Sequence, residues 1–168
     1  EGRDEVDALE VNLSCPNIQG GKLPFARDPV QAREIMRGVA AVTSKPLWAK
    51  LSPNVARIEE MAQAVEEGGA AAIVAVNTLL GMAVDWRRRE PRLAMVRGGY
   101  SGTAIRPVAL RCAYDCASAV SIPIMIQDAP LSGVTLPVPL LAKMAREIEN
   151  VCYFKMETPF AADKLAAL

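Results

Sequence analysis

Asn12-Leu13-Ser14-Cys15-Pro16-Asn17 sets two carboxamides around one thiol within six residues. A carboxamide carries both donors and an acceptor, which suits a ring edge that alternates C=O with N–H, as a pyrimidine does. A thiol has an unperturbed pKa near ~8.5 and can be tuned towards neutrality, so Cys15 can act as general base or nucleophile. The same string also reads as a turn. Lys50 follows thirty-five residues later and places an ammonium where an anion developing during a reaction could be stabilised. Asn77-Thr78 adds a third carboxamide and a hydroxyl, and Gly98, Gly99 and Gly102 would let backbone N–H groups come close to a cofactor.

The chain has no histidine, which removes His-based triads, His-ligated zinc and a histidine general base from within it. Lys plus Arg and Asp plus Glu both number 19, so net charge gives no reason to expect nucleic acid or an acidic membrane as partner. The Glu-Gly-Arg-Asp-Glu start carries no signal peptide and no apolar run is long enough to span a membrane, so a cytoplasmic protein is expected. Four cysteines lack CxxC spacing; Cys112 and Cys116 read as packing residues on one helical face rather than as a metal pair. No metal site is expected.

These residues need a frame. Apolar runs at 8–13, 47–51, 71–76, 122–126 and 151–154 read as parallel strands buried on both faces. Helical segments follow each: Asp28-Pro29 opens one to about Ala41, with Val30, Ile35 and Val39 inward. Others span about 58–67, ended by Gly68-Gly69, then 107–119, 137–148 and 161–168. Five βα units in a row predict an α/β fold, and no GxGxxG supports a doubly wound dinucleotide sheet. Asn12, Lys50, Asn77, Gln127 with Asp128, and Lys155 each end a strand, as at the mouth of a (β/α) barrel, although strand ends also turn polar merely on meeting solvent. The expected architecture is a partial TIM barrel forming one incomplete domain over 1–168. The connection 77–106 is long enough to carry elements of its own, with Arg87-Arg88-Arg89 at a solvated hairpin tip.

The motifs Asn12–Asn17, Lys50-Leu51-Ser52-Pro53-Asn54-Val55, Asn77-Thr78-Leu79-Leu80-Gly81-Met82 and Gly98-Gly99-Tyr100-Ser101-Gly102 through Leu110 closely resemble class 1 dihydroorotate dehydrogenases, best the NAD-linked 1B type, over about residues 1–122. That resemblance implies an FMN flavoprotein oxidising dihydroorotate to orotate in pyrimidine biosynthesis. Cys15 would take the proton from C5 while C6 delivers hydride to FMN. Asn12, Asn17, Asn77 and Thr78 would grip the pyrimidine. Asn12, Lys50, Val76, Ser101 and Gly102 would touch the cofactor, with the lysine favouring its reduced anion. A separate FAD and iron–sulfur electron-transfer subunit is implied as partner. The family's glycine-rich turn after the fourth strand, one of two that hold the FMN phosphate, is replaced by Gln127-Asp128-Ala129-Pro130-Leu131-Ser132-Gly133-Val134.

From about residue 121 onward the sequence resembles the dihydrodipicolinate synthase group of Schiff-base lyases, which places a chimeric join inside Ser121–Ile126 and assigns 123–168 to the second family. Lys155 falls where that group keeps its imine-forming lysine; the competing reading is a solvated strand-end lysine. Five units cannot close an eight-stranded barrel of roughly 250 residues, so a homo-oligomer or an inert barrel fragment also fits.

Overall fold

The computed structural model describes residues 5–14, 25–128, 136–157 and 161–168. Five parallel strands, β1 (Leu9–Asn12), β2 (Leu47–Lys50), β3 (Ala72–Val74), β8 (Ile124–Asp128) and β9 (Val151–Met156), form one sheet in the order β1-β2-β3-β8-β9. Helices α1 (Pro29–Ala40), α2 (Ile58–Glu67), α3 (Arg106–Ala119), α4 (Val138–Glu147) and α5 (Ala161–Ala166) follow these strands in turn. Strand–helix alternation with sequential parallel neighbours is the βα arc expected of a barrel.

Local chemistry sets the boundaries. The Asp28 carboxylate accepts the backbone N–H groups of Val30 and Gln31 and caps α1, with Pro29 in the first turn. Gly68 ends α2 and Gly69 turns the chain at φ +98°, a conformation that costs a side chain but not glycine.

The core lies between the sheet and α1–α3. Leu47, Ala49 and Ile73 point from the strands onto Met36, Ile58, Met61, Val65, Cys112 and Cys116. One expected inward residue is corrected: Val30 is exposed, because the buried stripe of α1 runs through Ala32 and Met36. Ala32 lies two residues on, about 200° around the helix, so a stripe centred there turns Val30 outward. Ile35 and Val39 do pack against the core.

The long connection folds as nested antiparallel hairpins. β4 (Leu79–Gly81) pairs with β7 (Gly98–Tyr100), and inside them β5 (Val84–Asp85) pairs with β6 (Glu90–Pro91). Asp85 accepts the N–H groups of Arg87 and Arg88 at the tip, and the Arg87 guanidinium lies 5.0 Å from the centre of the Trp86 ring. The arginine run is therefore an exposed hairpin tip.

Candidate active site

Strand alternation divides each parallel strand between two faces. Leu47 and Ala49 face the helices, so Trp48 and Lys50 face the other side, and register carries the same side to Glu10 and Asn12 on β1. Asn12 and Lys50 are direct neighbours at the carboxyl ends of their strands, and Val74 lies beside Lys50. The Trp48 and Tyr153 rings meet at 5.9 Å across this inner face.

Hydrogen bonds join the strand ends into one unit. The Asn12 Oδ1 accepts both the backbone N–H (3.1 Å) and the hydroxyl (2.8 Å) of Ser14. Asn77 Nδ2 donates to Ser14 Oγ at 2.8 Å across 63 residues, and Asn77 Oδ1 accepts the Thr78 N–H at 2.7 Å. Ser14 is 1% exposed, so this link is shielded from water. A second tie comes from the loop after β2. Asn54 Oδ1 accepts the Leu80 N–H at 2.7 Å while its Nδ2 donates to the Thr78 carbonyl (3.0 Å) and to Ser52 Oγ (2.9 Å). One amide thus binds residues 78 and 80 as a neighbouring strand would.

The structure therefore brings Asn12, Lys50, Asn77 and Thr78 to one mouth. Cys15 and Asn17 lie outside the described residues. Ser14, Ser52 and Asn54 were missed as site residues. Their signal was the two-residue spacing Asn12-x-Ser14 and Ser52-x-Asn54, the pattern of short side-chain turns. Val76 packs against the core beyond β3, with a cis peptide joining it to Ala75.

The glycines are explained differently than expected. A side chain at Gly99 would lie 2.5 Å from Thr78 Oγ1, and one at Gly98 would lie 3.1 Å from Leu93. Those two positions are small because Thr78 and Leu93 crowd them, a packing reason for glycine. Gly102, at φ +97°, turns the chain into a 3-10 turn ahead of α3, beside exposed Ser101.

Lys155 is also placed differently from a poised imine-forming amine. Its Nζ lies 3.0 Å from Glu10 on β1 and 3.3 Å from Glu157. Burial pulls its pKa down, but hydrogen bonding and charge attraction from Glu10 and then Glu157 outweigh that and hold it above the ordinary lysine range. A Schiff-base nucleophile needs the opposite shift. At the end of β8, Asp128 is 1% exposed, pairs with Lys164 of α5 and accepts the Leu136 N–H.

Donors at the mouth fit the electron-rich edge of a flavin ring: among the described residues, Lys50 forms no ion pair and the Asn12 Nδ2 no hydrogen bond. The phosphate end of a nucleotide finds no such match in what is described, because Lys164 is committed to Asp128 and to the Leu136 carbonyl. Among the described residues no group of three or more His, Cys, Asp or Glu could hold a metal ion. Cys112 and Cys116 are buried core residues; burial pushes the Cys116 thiol up to about 12, the inert state of a packing cysteine. No described helix is long and apolar enough to cross a membrane.

Parallel strands, outer helices and a polar mouth define a (β/α)-barrel type of enzyme scaffold. The family model described as dihydroorotate dehydrogenase matches residues 2–127, and the chain belongs to that family. It is 50% identical over 135 residues to the dihydroorotate dehydrogenase B (NAD(+)) catalytic subunit of Maridesulfovibrio salexigens, a match covering 80% of this chain and 43% of that protein. The chain thus spans less than half the length of that relative.

Among solved structures, the dihydroorotate dehydrogenase of Eimeria tenella superposes with TM-score 0.65 and 17% identity, covering 96% of this chain and 47% of that one. A dihydrodipicolinate synthase from Agrobacterium tumefaciens gives TM-score 0.54 and 21% identity, covering 95% and 46%. These two likenesses are of fold.

Proposed function

We propose that this chain carries the pyrimidine-gripping part of a dihydroorotate dehydrogenase site, and that the whole protein oxidises dihydroorotate to orotate in pyrimidine biosynthesis. The observation that supports it most is the hydrogen-bonded link from Asn12 through Ser14 to Asn77 beside Lys50. It holds two carboxamides and an ammonium at neighbouring strand ends, where a flat ring of alternating carbonyls and N–H groups finds partners.

Each residue then has a task. Asn12, Asn77 and Thr78, with Asn17, orient the pyrimidine ring. Cys15 accepts the proton from C5 as general base. Lys50 stabilises negative charge that develops at the mouth. FMN, when bound, would supply the acceptor for the hydride leaving C6. Val76, Ser101 and Gly102 border the place where its ring would lie.

The chain spans less than half the length of its Maridesulfovibrio salexigens relative, so the proposed activity is that of the whole protein. The "catalytic subunit" in that relative's name supports a separate electron-transfer subunit, of the FAD and iron–sulfur kind, as partner. A homo-oligomer in the cytoplasm completes the reading. The family match ends at Gln127, which supports a change of ancestry near the β8 strand, with 123–168 drawn from a dihydrodipicolinate synthase-like barrel.

Titration with orotate and with FMN, followed by calorimetry and flavin fluorescence, tests the proposal. Saturable orotate binding that is lost in Asn77→Ala supports it. Absence of orotate binding by the wild-type chain would remove it.

A further inference from the structure

A flavin nucleotide has two ends: a ring that takes donors at its electron-rich edge, and a phosphate monoester that carries a charge of about −1.5 to −2 near neutrality. The mouth at β1–β3 supplies donors for the ring. The next strands along the arc are β8 and β9, each about 5 Å beyond its neighbour. In barrels, the loops after the last two strands and a nearby helix N-terminus are the usual seat of a phosphate. Asp128, at the end of β8, is the first residue beyond the stretch that the dihydroorotate dehydrogenase family model matches.

Charges at that end already satisfy one another. The Asp128 carboxylate is 1% exposed, pairs with Lys164 and accepts the Leu136 N–H at 2.9 Å. Lys164 also donates to the Leu136 carbonyl. Lys155 lies between two carboxylates, Glu10 at 3.0 Å and Glu157 at 3.3 Å. Carboxylates therefore outnumber ammonium groups in these pairs, Asp128, Glu10 and Glu157 against Lys155 and Lys164.

Backbone donors are committed as well. The Glu157 N–H donates to the Asp128 carbonyl at 2.9 Å. An anion at a helix start needs the first N–H groups free. The helix after β8, α4, is capped by Pro137 and carries Pro139 in its first turn, and proline has no N–H. The Leu140 and Leu141 N–H groups both donate to the Pro137 carbonyl.

We propose that the ends of β8 and β9 reject a phosphate, so that this chain takes riboflavin, a flavin with a neutral tail, more tightly than FMN. The inference rests on the flavin-ring reading of the mouth and adds which member of that ligand class the site prefers. A terminal hydroxyl can donate to the half-exposed Glu157 carboxylate. A phosphate in the same place meets like charge, and both described lysines of β9 and α5 are already paired.

Fluorescence titrations of the wild-type chain with riboflavin and with FMN, at low and high salt, test this. Riboflavin is expected to bind about threefold or more tighter than FMN, with the gap narrowing as salt screens the repulsion. Asp128→Asn keeps an acceptor for the Leu136 N–H while freeing Lys164, and Glu157→Gln removes an exposed charge. FMN affinity is expected to rise about tenfold in the first and about threefold in the second, with riboflavin affinity unchanged.

FMN binding as tight as riboflavin or tighter in the wild-type chain overturns the inference and leaves the flavin-ring reading standing. Unchanged FMN affinity in both variants, folded by circular dichroism, overturns it too. Should Asp128→Asn fail to fold, Glu157→Gln and the wild-type comparison still decide. If the wild-type chain binds neither flavin, the ring reading itself falls and takes the inference with it.

Discussion

The two ends of the parallel sheet are tied together by different chemistry. At β1–β3 the ties are neutral: amide to hydroxyl, amide to backbone, over Asn12, Ser14, Asn54 and Asn77. At β8 and α5 the tie is ionic, Asp128 with Lys164, and a second ionic tie runs from Lys155 on β9 to Glu157 and back to Glu10 on β1. Neutral bonds have fixed donor and acceptor directions, so they define the polarity of a surface. Charge pairs hold elements together with less directional demand, and their worth depends on burial and pH. The mouth at the carboxyl ends of β1–β3 is thus built from the first kind.

The sharpest way to break the contrast is Asp128→Ala. Removing one partner of a buried pair leaves Lys164 uncompensated, and a loss of about 3 kcal/mol is expected in urea denaturation. A loss below about 1 kcal/mol would place this end with ordinary surface pairs. On the neutral side, Asn54→Ala strips partners from the Leu80 N–H and the Thr78 carbonyl. It should cost about 2 kcal/mol, with hydrogen exchange at the Leu80 amide accelerating selectively.

A smaller effect is expected at Glu10. Glu10→Gln should cost under about 1 kcal/mol near neutrality, since the pair is partly exposed. The sign of its pH dependence is fixed: the folded Lys155 pKa is raised, so its contribution is fully present below the ordinary value of 10.5 and fades as pH rises through the folded value. Denaturation midpoints of wild type and Glu10→Gln should therefore converge in strongly alkaline buffer.

The smallest perturbation is chemical labelling. Exposed Cys152 should react with a thiol reagent in the native state well before buried Cys112 and Cys116, and peptide mass spectrometry reads the order. Because the Cys116 pKa rises from 9.0 to about 12 on folding, ionisation of that thiol weakens the fold as pH climbs across that interval. Equal labelling of all three at neutral pH would show that the helix layer opens readily.

Strands and helices were legible because each carries a local signal: an unbroken apolar run, an Asp-Pro start, a Gly-Gly stop. Their parallel order followed from the alternation of strand and helix. The hairpins at 79–100 were not legible as ladders, since strands of two or three residues carry no periodicity of their own. Asn12, Lys50, Asn77 and Thr78 could be found because they punctuate apolar runs. Ser14 and Asn54 escaped because their partners lie 63 and 26 residues away, across a sheet not yet built. The partner of Lys155 escaped for the same reason: Glu10 is 145 residues distant.

The nesting of β5–β6 within β4–β7 makes the excursion an interchangeable cassette. Its base is stapled by Asn54, whereas its tip hydrogen-bonds across its own short ladder and through Arg92 to Ala83. Shortening or replacing 84–91 would leave the mouth's scaffolding in place, so this is where a graft, a label or evolutionary drift can enter at least cost to recognition.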